Sequence, residues 1–190
     1  EGFSWATLGS KKQFVFLSSV LIGFTAGMAA VILKTFVHYI YLAATYEKFS
    51  NFRYFYLLLP LIGLILTVFV VKRFLNNKLN KGLSQIHFAI AKRSSILPIN
   101  QTYDQVVTSS ITVGFGGSVG LEAPIVITGA AVGSNYSRKY QLDPRERTLI
   151  LACGIAAGIG AAFNAPIAGV LFALEVLLLD ISISAFTPLI

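Results

Sequence analysis

The stretch Gly114-Phe-Gly-Gly-Ser-Val-Gly-Leu-Glu-Ala-Pro124 decides how the rest of the chain is read. It sits inside a run from Gln105 to Ser137 whose one charge is Glu122. A run so long and so apolar would ordinarily cross a bilayer as a single helix. Four glycines and a proline around one acid argue against a continuous helix here. We read a helix, a non-helical break at about Gly117 to Glu122, and a second helix from Pro124, since proline suits the first helical turn. The glycines at 114, 116, 117 and 120 open non-helical conformations to the backbone and remove side chains from the path.

A carboxylate in the membrane interior costs about 3 kcal/mol or more, so Glu122 is expected to face water, an ion or a partner. The unpaired N–H groups at the start of the Pro124 helix attract negative charge, and the helix dipole adds to the attraction. Two roles are open to it. In one, Glu122 occupies that site and yields it to a mobile anion when protonation weakens its hold, which is a gate by competition. In the other, Glu122 is a structural cap salt-bridged to a basic residue outside residues 1–190. The surrounding glycines favour the ion path.

Composition agrees with a membrane setting. Of 190 residues, 55% are hydrophobic and only 12% charged, against about 25% charged in soluble domains. This excludes a disordered regulator or a soluble enzyme with a charged surface. The net charge of +7 comes from 15 basic and 8 acidic residues. The basic residues cluster between apolar runs and form no aromatic-interleaved stripe, so no nucleic-acid partner is expected. Anionic headgroups and the positive-inside bias account for them.

Outward from the break, both flanks fit. On the C-terminal side a polar link, Arg138 to Arg147, leads into an uncharged run from Thr148 to Leu174, divided at Phe163-Asn-Ala-Pro166. Gly154, Gly158 and neighbouring alanines form a small-residue face for close helix packing. A second proline-initiated helix is expected from Pro166 to about Leu179. Two helix pairs interrupted at proline are the pattern of discontinuous membrane helices. On the N-terminal side, Phe14 to Leu33 is uncharged, and the segment continues through Lys34 and His38 to Tyr46. At about 1.5 Å per residue this first run alone covers a hydrocarbon core of about 30 Å, so the whole helix is expected to be tilted. Tyr54 to Val71 is a second span, with Pro60 tolerable in a membrane helix. The short link, Glu47 to Arg53, predicts an antiparallel hairpin of these two helices. Gly82 to Ala91 is too short to cross.

Lys11 and Lys12 precede the hairpin, and after it come Lys72, Arg73, Lys78, Lys81, Lys92 and Arg93. Both its outer ends, and hence the N-terminus, are therefore expected in the cytoplasm. The fold class is all-α, a multi-pass membrane protein with tilted and broken helices. The chain starts at Glu1-Gly-Phe and stops at Phe186-Thr-Pro-Leu-Ile190, and reads as a piece of a longer protein.

Other candidates carry less. Glu175 is expected near the cytoplasmic end of its helix, in a hydrogen-bonded structural role before a proton-pathway one. Lys34 and His38, one turn apart, line water or else snorkel and sit at the interface. Asn164 beside Pro166 reads as a helix cap. No His/Cys metal cluster, phosphate-binding loop or nucleophile–histidine arrangement is present in the sequence, so no catalytic residue, metal or cofactor enters the reading.

Two segments resemble one family. Gly120-Leu-Glu-Ala-Pro124 is similar to the glycine–x–glutamate–x–proline signature of the CLC chloride channels and chloride/proton exchangers. The segment Cys153 to Val176, with its core Ala161-Ala-Phe-Asn-Ala-Pro-Ile-Ala-Gly-Val-Leu-Phe-Ala-Leu-Glu175, is similar to the family segment C-terminal to that signature. The resemblance implies that residues 1–190 are the N-terminal half of a membrane domain built from two inverted halves, the second being absent here. It implies a homodimer in the plasma or inner membrane, with chloride or a similar anion as transported ligand. Glu122 would be the external gate and proton acceptor, and Gly120, Leu121, Ala123 and Pro124 would line the anion path.

Two departures accompany the resemblance. The family's first anion-binding signature, glycine–serine–glycine–isoleucine–proline, falls on Asn80-Lys-Gly-Leu-Ser84, where Gly82 and Leu83 match. Lys81 then replaces the chloride-binding serine, either placing an ammonium beside the anion or turning to the cytoplasm while its backbone binds. Exchangers commonly carry a proton-transfer glutamate after the position of Glu175, where this chain has Val176, as the family's channels do. That favours a channel over an exchanger. A non-transporting scaffold whose Gly/Ala faces serve packing alone is the rival from another class.

Overall fold

The computed structural model describes residues 11–45, 55–75, 82–91 and 95–178. Seven helices run in chain order: α1 (Lys11–Ala44), α2 (Phe55–Phe74), α3 (Leu83–Ala91), α4 (Gln101–Gly114), α5 (Glu122–Lys139), α6 (Pro144–Phe163) and α7 (Pro166–Leu178). There is no strand among the described residues. The all-α reading therefore stands, and three helices are long and apolar enough to cross a membrane: Gln13–Ala44, Leu57–Phe74 and Pro144–Phe163.

α1 is a single helix of 34 residues, about 51 Å at 1.5 Å per residue. Its buried residues, Phe14, Ser18, Ile22, Ala26, Ala30 and Leu33, recur every three or four positions and so form one stripe. Phe16, Leu17, Val20, Leu21 and Phe24 point outward. The hydroxyls of Ser19, Thr25, Thr35 and Thr45 each donate to the carbonyl four residues earlier, at 2.7–3.1 Å. An apolar solvent need not supply partners to a polar group already bonded to its own helix.

α5 and α6 are the centre of the bundle. Every residue from Pro124 to Ala131 is buried. A Cβ on Gly129 would collide with the Gly154 carbonyl oxygen, and one on Gly154 with the Gly129 oxygen. One at Gly133 would lie 2.6 Å from the Ile150 oxygen and one at Gly158 3.1 Å from Ile125 Cγ2. The pairings 125–158, 129–154 and 133–150 run in opposite directions, so α5 and α6 are antiparallel and touch backbone to backbone. The small-residue face expected at Gly154 and Gly158 is this contact. α1 lies along the other side of α6, with Gly23 over Ala157 and Gly27 over Ala161, and Gly169 seats α7 against Ala156 and Gly160.

Several boundaries differ from the sequence reading. The expected α1–α2 hairpin packing is not how α2 is held: α2 packs on α4. Thr67 Oγ1 lies 3.0 Å from Thr112 Oγ1, and Gly63 closes on Phe115. α4 in turn packs on α1, where Gly114 leaves room for Ile40. A short link joins two helices in sequence, but the small residues decide which faces can approach. The polar link after α5 is also shorter than expected, spanning 140–143. Arg138 and Lys139 close α5 at its carbonyl end, where positive charge is favoured. Asp143 and Glu146 form a capping box with Pro144 in the first turn of α6. The break after α6 falls where the sequence indicated. Asn164 takes the left-handed conformation (φ 52°) that ends a helix, and Pro166 opens α7. Leu179 and Asp180 lie outside the described residues.

The two ends of the bundle differ in charge. Lys72 and Arg73 end α2, Arg138 and Lys139 end α5, and Arg145 and Arg147 open α6, all at one end. The two helix breaks, 115–121 and 164–165, lie at the other. In the full-length protein, Gly154→Ala should cost about 1–3 kcal/mol of stability, as overpacking does, and lower the midpoint of thermal unfolding in detergent. Gly120→Ala, whose Cβ meets nothing within 4 Å, should leave that midpoint in place. The charge asymmetry is tested by labelling. With Cys153 replaced by serine, cysteines introduced at 48–53 should react with an impermeant thiol reagent from outside, and those at 72–81 and 139 from inside. Labelling of both sets from one side would overturn the topology.

Candidate anion site at the α4–α5 break

α4 has 14 residues, about 21 Å of helix, too short to cross a hydrocarbon core of about 30 Å. Its glycines explain how it ends. Gly116 adopts a positive φ of 86°, its N–H donates to the Val113 carbonyl at 2.9 Å, and the Gly117 N–H donates to the Thr112 carbonyl at 2.9 Å. These bonds satisfy carbonyls that the helix end would otherwise leave open. A Cβ at Gly117 would stand 2.6 Å from that same Thr112 oxygen, so only glycine closes the turn. Ser118 to Leu121 then runs without helix or strand.

α5 begins at Glu122, two residues before the expected start at Pro124. Leu121 is the N-cap and supplies no side-chain cap. The first backbone bond of α5 is from Ile125 N–H to the Leu121 carbonyl, 3.1 Å. Pro124 stands in the third helical position and has no N–H, so the first-turn donors are the N–H groups of Glu122 and Ala123, which have no acceptor within the helix. Glu122 is thus the first residue of α5 and not the last of the loop. Its side chain is exposed, and no ion pair holds it among the described residues.

The second break lies at the same level. Ile125 meets Gly158, and Leu121 packs on the core cluster that contains Ala162 and Ile159. The ammonium of Lys34 donates to the Ala162 carbonyl at 2.7 Å. Lys34 thereby takes a role the sequence did not suggest: it caps the open end of α6 from α1. His38 is exposed beside Tyr39.

The remaining candidates fall in separate places. Gly120, Leu121, Glu122, Ala123 and Pro124 are together in the break and first turn of α5. Gly82 takes a left-handed φ of 64° just before α3, and a Cβ there would meet nothing within 4 Å. Leu83 packs on the same core cluster as Leu121. Lys81 lies outside the described residues. Glu175 is exposed near the end of α7. No hydrogen bond to it occurs among the described residues. Val176 is its neighbour on the helix. No group of three His, Cys, Asp or Glu side chains fit for a metal occurs among the described residues.

A polar face on α4 escaped the sequence reading. Gln101, Asp104 and Thr108 are buried, and their three- and four-residue spacing puts them on one face of α4 with Thr112. That spacing is the signal, but the uncharged run starts at Gln105 and left Asp104 on its border.

Residues 62–190 match the family model described as voltage gated chloride channel. The chain is 32% identical over 180 residues to chloride channel protein CLC-d of Arabidopsis thaliana, covering 83% of this chain and 23% of that protein. It is 27% identical over 173 residues to the H(+)/Cl(-) exchange transporter ClcA of Klebsiella pneumoniae (strain 342), covering 85% of this chain and 36% of that one. The crystal structure of a CLC-type fluoride/proton antiporter shares the fold with a TM-score of 0.67 at 24% identity, over 87% of this chain and 41% of that chain. The chain thus spans less than half the length of each. The interrupted helices and the glycine-flanked Glu122 fall within the matched residues, and the chain belongs to the voltage gated chloride channel family.

Proposed function

We propose that the protein containing this chain conducts chloride or a similar anion across a membrane, with Glu122 as the gate. The observation that carries the reading is the first turn of α5. Two N–H donors without a helical acceptor, Glu122 and Ala123, share that turn with a carboxylate that has no counter-ion among the described residues. A mobile anion and the Glu122 carboxylate therefore compete for the same positive end of a helix. Protonation removes one competitor.

Backbone donors suit such a task. They attract negative charge without a full positive charge that would hold the anion too tightly to leave. In this reading chloride is the transported ligand and no cofactor takes part, the working unit is a homodimer in a plasma or inner membrane, and the missing C-terminal half completes the path. Val176 in place of an acid favours a passive channel. The second reading, a chloride/proton exchanger, is supported by the likeness to the ClcA exchange transporter. A scaffold without transport leaves the uncapped donors and Glu122 unexplained.

The gate is tested in liposomes holding the full-length protein. Glu122→Gln keeps the volume and removes the charge, so chloride flux should persist and lose most of its dependence on external pH. Flux and pH profile both unchanged in folded protein would return Glu122 to a structural role. In the wild type, uphill proton movement driven by a chloride gradient would establish the exchanger, and flux without it the channel. Lys81→Met addresses the first signature: chloride affinity by calorimetry should fall if the ammonium binds the anion, and unchanged affinity would leave only the backbone in that role.

A further inference from the structure

The polar face of α4 holds an acid that gating by Glu122 does not use. Asp104 lies in the first turn of α4, before the uncharged run and outside the three apolar spans, at the basic end of the bundle. The residue is 8% exposed, and its Oδ1 is buried with no hydrogen-bond partner. Gln101, one turn earlier, is fully buried. Its Nε2 donates to Gln85 Oε1 at 2.5 Å, while its own Oε1 is buried without a partner. Two buried oxygens, both acceptors, thus occupy neighbouring positions of one helix face with no donor for either.

An ionised carboxylate with one oxygen out of water and unbonded is costly, and such a group takes up a proton instead. Protonation also changes the count of donors: one acceptor becomes an O–H donor, at the spacing where side chains of adjacent turns meet. Burial pushes the Asp104 carboxyl up from its ordinary value of 3.8. Among the described side chains, the charged or titratable groups on α4 and the elements around it are Lys34, His38, Tyr39 and Tyr41 of α1, Lys72 and Arg73 of α2, His87 of α3, Tyr103 of α4, and Glu122, Tyr136, Arg138 and Lys139 of α5. The cations favour the ionised form from a distance, but none forms an ion pair with Asp104 among the described residues.

We propose that Asp104 is a proton-binding site at the basic end of the bundle, holding its proton to higher pH than an exposed aspartate, distinct from Glu122 and on the opposite side of the break. The Asp104 carboxylate takes a proton from the aqueous phase on that side, and gives it back as the pH of that phase rises through its folded midpoint. Proton occupancy stands on burial and bonding alone. Its effect on anion flux rests on the transport reading of Glu122. The link to the break is α4 itself, whose far end makes the Gly116–Gly117 turn before Glu122.

The test uses the full-length protein carrying Glu122→Gln, with and without Asp104→Asn. Infrared difference spectra should show a protonated-carboxyl band that Asp104→Asn removes and that titrates above the ordinary aspartate range. Because the folded form holds the proton more tightly than the unfolded chain, Asp104 contributes stability below its ordinary range that is lost as pH rises through the folded midpoint. The thermal midpoint should therefore fall over that interval, and Asp104→Asn should flatten the fall. Titration of the Asp104 band within or below the ordinary aspartate range overturns the proposal: the amides of Gln85 and Gln101 are then turned over, giving an ionised Asp104 a donor. In liposomes, Asp104→Asn should remove the pH dependence of flux on the basic side alone. A band without that loss would confine Asp104 to proton binding and remove its part in transport. Persistence of external-pH gating in Glu122→Gln, with the band present, would count against the gate and not against Asp104.

Discussion

The backbone contact between Gly129 of α5 and Gly154 of α6 fixes the position of everything around it. At that distance no side chain fits on either helix, and burial of apolar surface gives helices little reason to associate in lipid. Close approach must supply the attraction through dispersion and peptide dipoles. Because α5 is held there, its first turn stands level with the last turn of α6. Both interruptions of the helical backbone consequently open at one end of the bundle. α1 and α7 then pack on α6 through further small residues, Gly23, Gly27 and Gly169.

A broken helix inside a membrane exposes unpaired backbone groups, and this chain treats them differently on the two sides of the break. The carbonyl end of α4 is closed by its own glycine turn, and that of α6 by Asn164, Ala165 and the ammonium of Lys34. The amino end of α5 is left open: its N-cap carries an apolar side chain and its third residue is proline. Several carbonyls at the ends of α4 and α6 thus have partners, while the first donors of α5 find none within their helix, and a helix end left in that state attracts negative charge. The end of α4 is closed by backbone alone, whereas that of α6 also draws on a cationic side chain.

The break itself was legible because it is written in residues with few conformational choices. Glycine at 114, 116, 117 and 120 and proline at 124 and 166 indicated where helices stop and start, and the structure agrees to within two residues at α5. The membrane spans were legible because an uncharged run has one explanation at that length. Pairing was not: nothing in the short link after α1 indicates that α2 will prefer α4, since that choice depends on Gly63 meeting Phe115 and Thr67 meeting Thr112 across distant sequence. Asp104 was hidden for a related reason. A charge at the edge of an apolar run normally marks the water boundary, and only the packing of α4 among its neighbours shows that its side chain turns inward.

Asn164 sets the angle between α6 and α7 by holding a left-handed backbone (φ 52°) with an exposed side chain. Few residue types tolerate that conformation; glycine does so most easily, then asparagine and aspartate. A narrow range of residues at this position among relatives would therefore report backbone handedness, although its place beside a helix break invites assignment as a ligand. The distinction is visible in which residues can replace it: a ligand role would keep the amide and reject glycine, whereas a hinge of fixed handedness accepts glycine and rejects valine.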